Sequence, residues 1–234
     1  MTPLFLPKSL SEKLSKYIED CRSFPADAAL ACRVSGIRGI WDALAPRTID
    51  RLVGRGRVVI FAQSLESAPE VVTPDGVLIR PIEEADWPAL SALLMRPHLI
   101  RFRARLAAGR HGLVAWRGRK PIGYGWVAES MGPDVSACPL ELPPYAAYLW
   151  DLYVIPEERR NGIGSALASA RILKARELGY REGWRMISPS NTPSLRTLAR
   201  TASGTRVVGE LRYIKLLTRM HARFTPADAT GGLI

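Results

Sequence analysis

The spacing of apolar and polar residues in the first third of the chain predicts a mixture of helix and strand. Apolar residues repeat at helical spacing over 8–22, and a continuous apolar run predicts a buried strand over 57–65. Ser, Pro, Gly and charged residues then dominate 66–76, which is typical of a linker or long turn. We therefore expect a helical and strand-bearing N-terminal extension over 1–76, with its strand added to the edge of a sheet.

The pattern after residue 76 alternates between strand and helix periods in the order β-α-α-β-β-β-α-β-α-β. A loop rich in Pro and Gly is predicted over 131–146, and an irregular C-terminal tail over 218–234. The predicted strands cover 77–80, 112–116, 121–129, 147–155, 184–188 and 205–217, and the predicted helices 83–95, 98–108, 165–178 and 193–202. These elements indicate one α/β domain over 77–217.

Bulk composition restricts the class of protein. The chain has 234 residues, 47% of them hydrophobic, which is enough to bury a full core. No apolar stretch reaches the length of a membrane span, and the N-terminus lacks the basic leader of a signal peptide. The expectation is a cytoplasmic protein without a membrane span.

The formal net charge of +11 favours anionic partners. The basic residues are scattered, and no run of five occurs. Nucleic acid is disfavoured as a partner, because no basic helix face and no helix-turn-helix stands out. The scattered charge is compatible with a phosphorylated cofactor or an acidic substrate, and equally with a general surplus of arginine that serves solubility.

Three cysteines and three histidines provide no recognisable metal site. Cys21, Cys32 and Cys138 are far apart, lack CxxC spacing and are odd in number. The histidines do not cluster either. We predict reduced thiols in packing roles and no bound metal.

The segment Arg159–Gly164 is the most specific chemical signal in the chain. It follows a predicted strand closed by Pro156 and leads directly into a predicted helix. A helix start carries unpaired N–H donors and partial positive charge, so such a turn is suited to phosphate. A Walker A loop is excluded, because no Gly-Lys-Ser/Thr follows, and the GxGxxG spacing of dinucleotide sites is absent.

The block from Leu152 to Leu167 resembles motif A of the GNAT superfamily, the acyl-CoA-dependent N-acyltransferases. That motif reads [Arg/Gln]-x-x-Gly-x-[Gly/Ala], and its positions are met by Arg159, Gly162 and Gly164, behind a strand ending in Val154-x-Pro156. The later block 191–196 resembles the Asn-x-x-[Ala/Ser] opening of the family's next helix. The resemblance implies a GNAT-like fold, a mixed, twisted sheet flanked by helices and splayed near its fourth strand.

The resemblance also implies how acyl-CoA, most simply acetyl-CoA, is bound. The turn holds the diphosphate through its N–H groups, and the strand before it pairs with the pantetheine arm. Asn191 contacts the same arm or caps the helix that follows, and these two roles are compatible. The implied cofactor-binding residues are Leu152, Tyr153, Val154, Arg159, Arg160, Asn161, Gly162, Ile163, Gly164, Ser165 and Asn191.

The catalytic groups are less well indicated. Transfer of an acyl group to an amine needs a base, and the strand position that often carries a glutamate in the family holds Tyr148 here. Glu141 and Glu129 are the other candidates, each equally readable as a solvated carboxylate. Strand alternation places Asp151 on the face opposite Tyr148, Trp150 and Leu152, which favours a structural role for Asp151.

The sequence departs from the family where a helix tyrosine usually protonates the thiolate, because that position is Leu198. The expected function is transfer of an acetyl or other acyl group from acyl-CoA to a primary amine in a ternary complex. The acceptor is an amine-bearing small molecule or a peptide, and a homodimer is compatible with the sequence. The missing tyrosine keeps one alternative open, a noncatalytic acyl-CoA-binding or regulatory module.

Overall fold

A computed structural model describes residues 53–66, 72–94, 96–132, 136, 138, 140–201, 204–216 and 219–227. The helix predicted over 8–22 lies outside these residues, as do Cys21 and Cys32. The strands are β1 (Val53–Ser64), β2 (Val77–Pro81), β3 (His111–Arg117), β4 (Lys120–Ala128), β5 (Ala146–Val154), β6 (Glu182–Ile187), β7 (Arg206–Leu216) and β8 (Arg219–Pro226). The helices are α1 (Trp87–Leu93), α2 (Arg96–Ala107), α3 (Ile163–Glu177) and α4 (Thr192–Thr201).

The predicted element order from residue 77 is confirmed, and the ends of the elements differ from prediction by a few residues. The first predicted helix is divided, because a short 3-10 turn at Glu84–Asp86 precedes α1. The prediction of an irregular tail is wrong for residues 219–226. They form β8, which pairs antiparallel with β7 along its whole length.

All eight strands join one mixed sheet in the order β2-β3-β4-β5-β6-β1-β7-β8. The predicted strand in the N-terminal extension exists as β1, but its predicted place at the sheet edge is wrong. It lies inside the sheet, antiparallel to both β6 and β7, with Ile60 opposite Met186 and Gly209. This position suits its apolar residues, because Ile60 and Ala62 are buried in a core cluster with Ala146, Trp184 and Leu211. The division of the chain at residue 76 stays a prediction, while β1 belongs to the sheet.

The splay predicted near the fourth strand of the domain is present between β5 and β6. These strands pair in parallel only over Ala146–Tyr148, opposite Glu182–Trp184. From Leu149 to Val154, β5 keeps β4 as its neighbour on one side, and on the side toward β6 it has no strand partner among the residues that the structure describes. The sheet therefore opens into a wedge, whose closed end is at Tyr148.

The two faces of the sheet at this wedge carry different helices. Even-numbered residues of β4 contact α2, as the edge-to-face packing of Phe102 on Tyr124 and Trp126 demonstrates. Odd-numbered residues face α3, because a Cβ on Gly123 or Gly125 would meet side chains of that helix. We call these the α2 face and the α3 face. None of the helices among the described residues has the length and apolar character that crossing a bilayer requires.

Candidate functional site

The turn before α3 is built to present backbone N–H groups. Arg160 and Gly162 have left-handed backbone conformations, with φ of 66° and 79°. Ala166 donates to the carbonyl of Gly162, so the N–H groups of Ile163, Gly164 and Ser165 precede the first intrahelical bond. These donors and the helix dipole converge at one end of α3, as an anion site requires.

Gly162 and Gly164 are glycine for different physical reasons. Gly162 needs its freedom from Cβ strain, because its φ is positive. Gly164 is helical, and a Cβ there would meet nothing nearer than Val154 Cγ2 at 3.9 Å. The protein itself therefore leaves open the space beside Gly164, which a side chain would fill. An open space beside unpaired N–H groups fits a diphosphate, and hence the CoA that the sequence predicts.

Ion pairs fix this turn to the rest of the domain. Glu158 accepts two hydrogen bonds of 3.0 Å from Arg117 on β3, and Arg117 also donates to the carbonyl of Asp75. The bond from Arg117, helped by one from Asn161, lowers the pKa of Glu158 below its ordinary value. The side chain of Asn161 thus supports the turn from within, which preorganises the N–H groups before any ligand arrives.

Arg159 ties the turn to β5. Its Nε donates to the carbonyl of Val154 at 3.0 Å, and its guanidinium lies 5.8 Å from the ring centre of Tyr153. Part of the guanidinium is therefore engaged with protein atoms, while Arg160 is exposed. Contact of either arginine with a phosphate stays a prediction.

The strand segment predicted to receive the pantetheine arm borders the wedge. Tyr153 and Val154 pair with Tyr124 and Gly123 of β4, so their other edge faces the opening. Asn191 lies just before α4, past the end of β6, and its Oδ1 accepts a 3.2 Å bond from the N–H of Ser194. This is the helix-capping role predicted as one of its two options. Its contact with the arm stays a prediction.

A β-bulge interrupts β5 at the wedge. Tyr153 lies opposite Tyr124 and Trp150 opposite Trp126, so two residues of β5, Asp151 and Leu152, oppose one of β4. Asp151 has φ of 48°, a conformation that favours glycine. The bulge redirects the backbone of β5 just where its free edge begins.

The bulge overturns the predicted position of Asp151. Simple alternation separates Asp151 from Tyr148 and Trp150, but the extra residue breaks that alternation. Asp151 Oδ2 instead lies 2.5 Å from Nη1 of Arg105, a residue of α2, so its carboxylate is on the α2 face. The Arg105 guanidinium lies 5.1 Å and 5.3 Å from the ring centres of Trp126 and Trp150. The pairing leaves the Arg105 side chain 12% exposed and that of Asp151 33% exposed.

Tyr148 lies at the closed end of the wedge, on the α2 face. Its ring stacks on Trp150, with centroids 5.8 Å apart and 11° between the planes. Burial raises the pKa of Tyr148 to about 12, although a hydrogen bond with Ser136 opposes the rise. The phenol therefore stays protonated at neutral pH, which weakens it as a base and suits it as a donor.

Glu129 and Glu141 line one pocket of about 480 Å³. Its other lining residues are Ser130, Met131, Gly132, Leu140 and Leu142. A short antiparallel bridge between Met131 and Leu140 closes the loop around it. Because Ala128 pairs with Tyr148, the pocket starts at the closed end of the wedge. Tyr148 lies three residues, about 10 Å along the strand, from the bulge at Asp151.

Sequence reasoning missed two charged side chains at the wedge, Arg171 and Arg185 on the α3 face. It also gave Asp151 only a structural role and did not pair it with Arg105 on the α2 face. Charged residues within otherwise apolar strands and helices were the available signal. Leu198, at the position of the family's helix tyrosine, is buried in α4, and burial raises the pKa of the Cys138 thiol.

Comparison with known proteins agrees with the fold. A Drosophila protein solved by a structural-genomics consortium superposes with a TM-score of 0.53 at 16% identity, over 78% of this chain and 67% of that one. The glucosamine N-acetyltransferase region of a fungal multi-domain β-N-acetylglucosaminidase gives 0.52 at 15%, over 68% of this chain and 21% of the other. No curated protein matches. The model of the acetyltransferase (GNAT) family matches residues 78–202, more than half of the sequence, and the chain belongs to that family.

Proposed function

We propose that this protein transfers an acyl group, most simply acetyl, from acyl-CoA to a primary amine. The observation that carries the proposal is the wedge: the free edge of β5 runs from the bulge at Asp151 to the open turn at Gly164. A pantetheine arm lying along this edge joins a diphosphate at the turn to a thioester at the bulge.

The transfer exchanges one bond for another. The amine nitrogen attacks the thioester carbonyl, a C–N bond forms, the C–S bond breaks, and the leaving thiolate takes up a proton. The oxyanion that develops is assigned to backbone N–H groups of β5 at the bulge, the point where its free edge begins. The ion pair of Asp151 with Arg105 holds that backbone conformation.

The pocket at Glu129 and Glu141 is the proposed acceptor site. Two carboxylates at the rim of a pocket attract a protonated amine, and Met131, Leu140 and Leu142 receive its apolar part. The aromatic row Tyr148–Trp150 continues from this pocket toward the bulge. The acceptor is therefore an amine with an apolar neighbour, either a small molecule or a peptide.

Proton removal from the ammonium falls to Glu141 or Glu129 through water. The leaving thiolate takes its proton from water, or through water from Tyr148, whose phenol stays protonated at neutral pH. The acyl donor reaches the bulge along the free edge of β5, and the amine acceptor reaches it from the pocket at Glu129 and Glu141. Direct attack in a ternary complex needs only that the amine and the thioester are bound side by side at the bulge, so no covalent acyl-enzyme is proposed.

Titration of the protein with CoA, followed by a thiol-release assay with acetyl-CoA and a panel of primary amines, tests the proposal. Amine-dependent thiol release that depends on Glu141 or Glu129 is expected, with Glu141→Gln and Glu129→Gln compared singly and together. CoA binding without thiol release from any amine favours the noncatalytic acyl-CoA-binding module. One observation supports that alternative: α4 carries Leu198 where the acid usually stands.

A further inference from the structure

Two buried arginines lie at the closed end of the wedge, on the α3 face. Arg171 of α3 and Arg185 of β6 are each 4% exposed. Gly183, two residues before Arg185, faces the buried leucines Leu149 and Leu65, so alternation puts Arg185 on the same face. The strand register brings the two side chains together, because Arg185 follows Trp184, the partner of Tyr148, and Arg171 reaches the carbonyl of Trp150 on the same stretch of β5. Burial, and after it the charge of Arg185, lowers the pKa of Arg171 to about 9.

Arg171 and Arg185 have more N–H donors than the described residues provide hydrogen-bond acceptors for. Arg171 Nη1 donates to the carbonyl of Trp150 at 2.9 Å, two residues beyond the last residue of β5 that pairs with β6. Nε of Arg171 and both Nε and Nη2 of Arg185 are buried without a hydrogen-bond partner in the described part of the chain. No carboxylate within those residues forms a salt bridge with either guanidinium, although Asp151 is near enough to favour the charge of Arg171.

The space for the pair is built into the fold. A Cβ on Gly125 would approach Arg171 Cδ to 2.8 Å, so β4 carries glycine where the arginine passes. Two buried cations without a counter-charge are costly, since desolvation is not offset by pairing. An anion held between them would remove that cost, and arginine forks are suited to a carboxylate.

We propose that Arg171 and Arg185 bind the terminal carboxylate of a short dicarboxylic acyl group carried by CoA, such as malonyl or succinyl. The inference rests on the proposed function, because it places the acyl end of the donor in the wedge. The contact of Arg171 with Trp150 is one residue from the bulge, so a carboxylate on the pair lies a few atoms from the thioester.

Binding of donor analogues tests this without an acceptor. Isothermal titration compares malonyl-CoA with isovaleryl-CoA, and succinyl-CoA with 4-methylpentanoyl-CoA, because each pair differs by carboxylate against isopropyl at equal size. The wild type should bind the carboxylates about 10- to 100-fold more tightly, as for a charge-assisted hydrogen bond. Arg185→Met should abolish this preference and leave the affinity for CoA itself within about twofold.

Two further variants control for fold and charge. Arg185→Lys keeps the charge and should retain part of the preference, and Arg176→Met removes an exposed arginine of α3 and should retain all of it. Equal binding of each matched pair by a wild type that binds CoA overturns the inference and leaves the proposed function standing. Failure of the wild type to bind any CoA species overturns both.

Discussion

The ion pair at the bulge leads to the sharpest prediction. Asp151 combines a left-handed backbone with a carboxylate held by Arg105, so two roles are confounded in one residue. If its role is to hold the bulge, the conformation matters more than the carboxylate. Three substitutions separate these roles, because Gly and Asn tolerate a positive φ and Ala does not.

The left-handed conformation costs alanine about 1–2 kcal/mol relative to glycine. This corresponds to about a 5- to 30-fold difference in the population of the bulged conformer, since 1.4 kcal/mol is a factor of ten. All three variants lose the ion pair equally. We therefore expect kcat/KM of Asp151→Gly and Asp151→Asn to exceed that of Asp151→Ala by about tenfold.

The assay is thiol release from acetyl-CoA with the best amine of the panel, with urea unfolding of each variant as the control for stability. Arg105→Met should resemble Asp151→Asn in activity, because it removes the pair and leaves the backbone preference of Asp151. An equal loss of about 10²- to 10⁴-fold in all three Asp151 variants, with Arg105→Met largely active, would show that the carboxylate itself transfers the proton.

The other predictions concern the turn before α3, the buried Tyr148 and the ion pair of Arg80 with Asp86 near the start of the domain. Gly164→Val should weaken CoA binding about tenfold or more, because a branched side chain fills the space beside the N–H groups of the turn, whereas Gly164→Ala, which the family motif also allows, should retain CoA binding. Gly162→Ala should lose stability, because its φ is 79°. The wild type should lose stability between pH 10 and about 12, because the pKa of Tyr148 is raised in the folded state and its stabilising effect below pH 10 is lost as the folded phenol ionises. Tyr148→Phe should remove this loss. The same alkaline unfolding in wild type and variant would contradict the burial of Tyr148. Arg80→Met should lower the free energy of unfolding above about pH 4, because the hydrogen bonds from Arg80 lower the pKa of Asp86 and their benefit is lost on acidification. A difference in unfolding free energy between wild type and variant that stays constant down to about pH 2 would contradict that linkage.

Local signals in the sequence predicted most of the domain. The helices and strands after residue 76 follow from apolar periodicity, and the turn at Gly162 and Gly164 follows from glycine placement before a helix. These features depend on residues that are neighbours along the chain, so the sequence alone reveals them. The family resemblance was recognisable for the same reason.

Features that depend on distant pairing were not predictable. The insertion of β1 between β6 and β7 joins residues more than 100 positions apart, and an apolar run does not reveal its partners. One extra residue at Asp151 then reversed the face expected from alternation. Arg171 and Arg185 were unremarked because burial, which makes them unusual, is visible only in the folded chain.

The measurement that tests the central claim most directly is thiol release from acetyl-CoA, with the amine product identified by mass. Acetylated amine formed in a 1:1 ratio with free CoA, and lost with CoA binding when Gly164 is replaced by Val, is the predicted result. Product formation that survives Gly164→Val at full rate would contradict the placement of the donor along the turn and the free edge of β5.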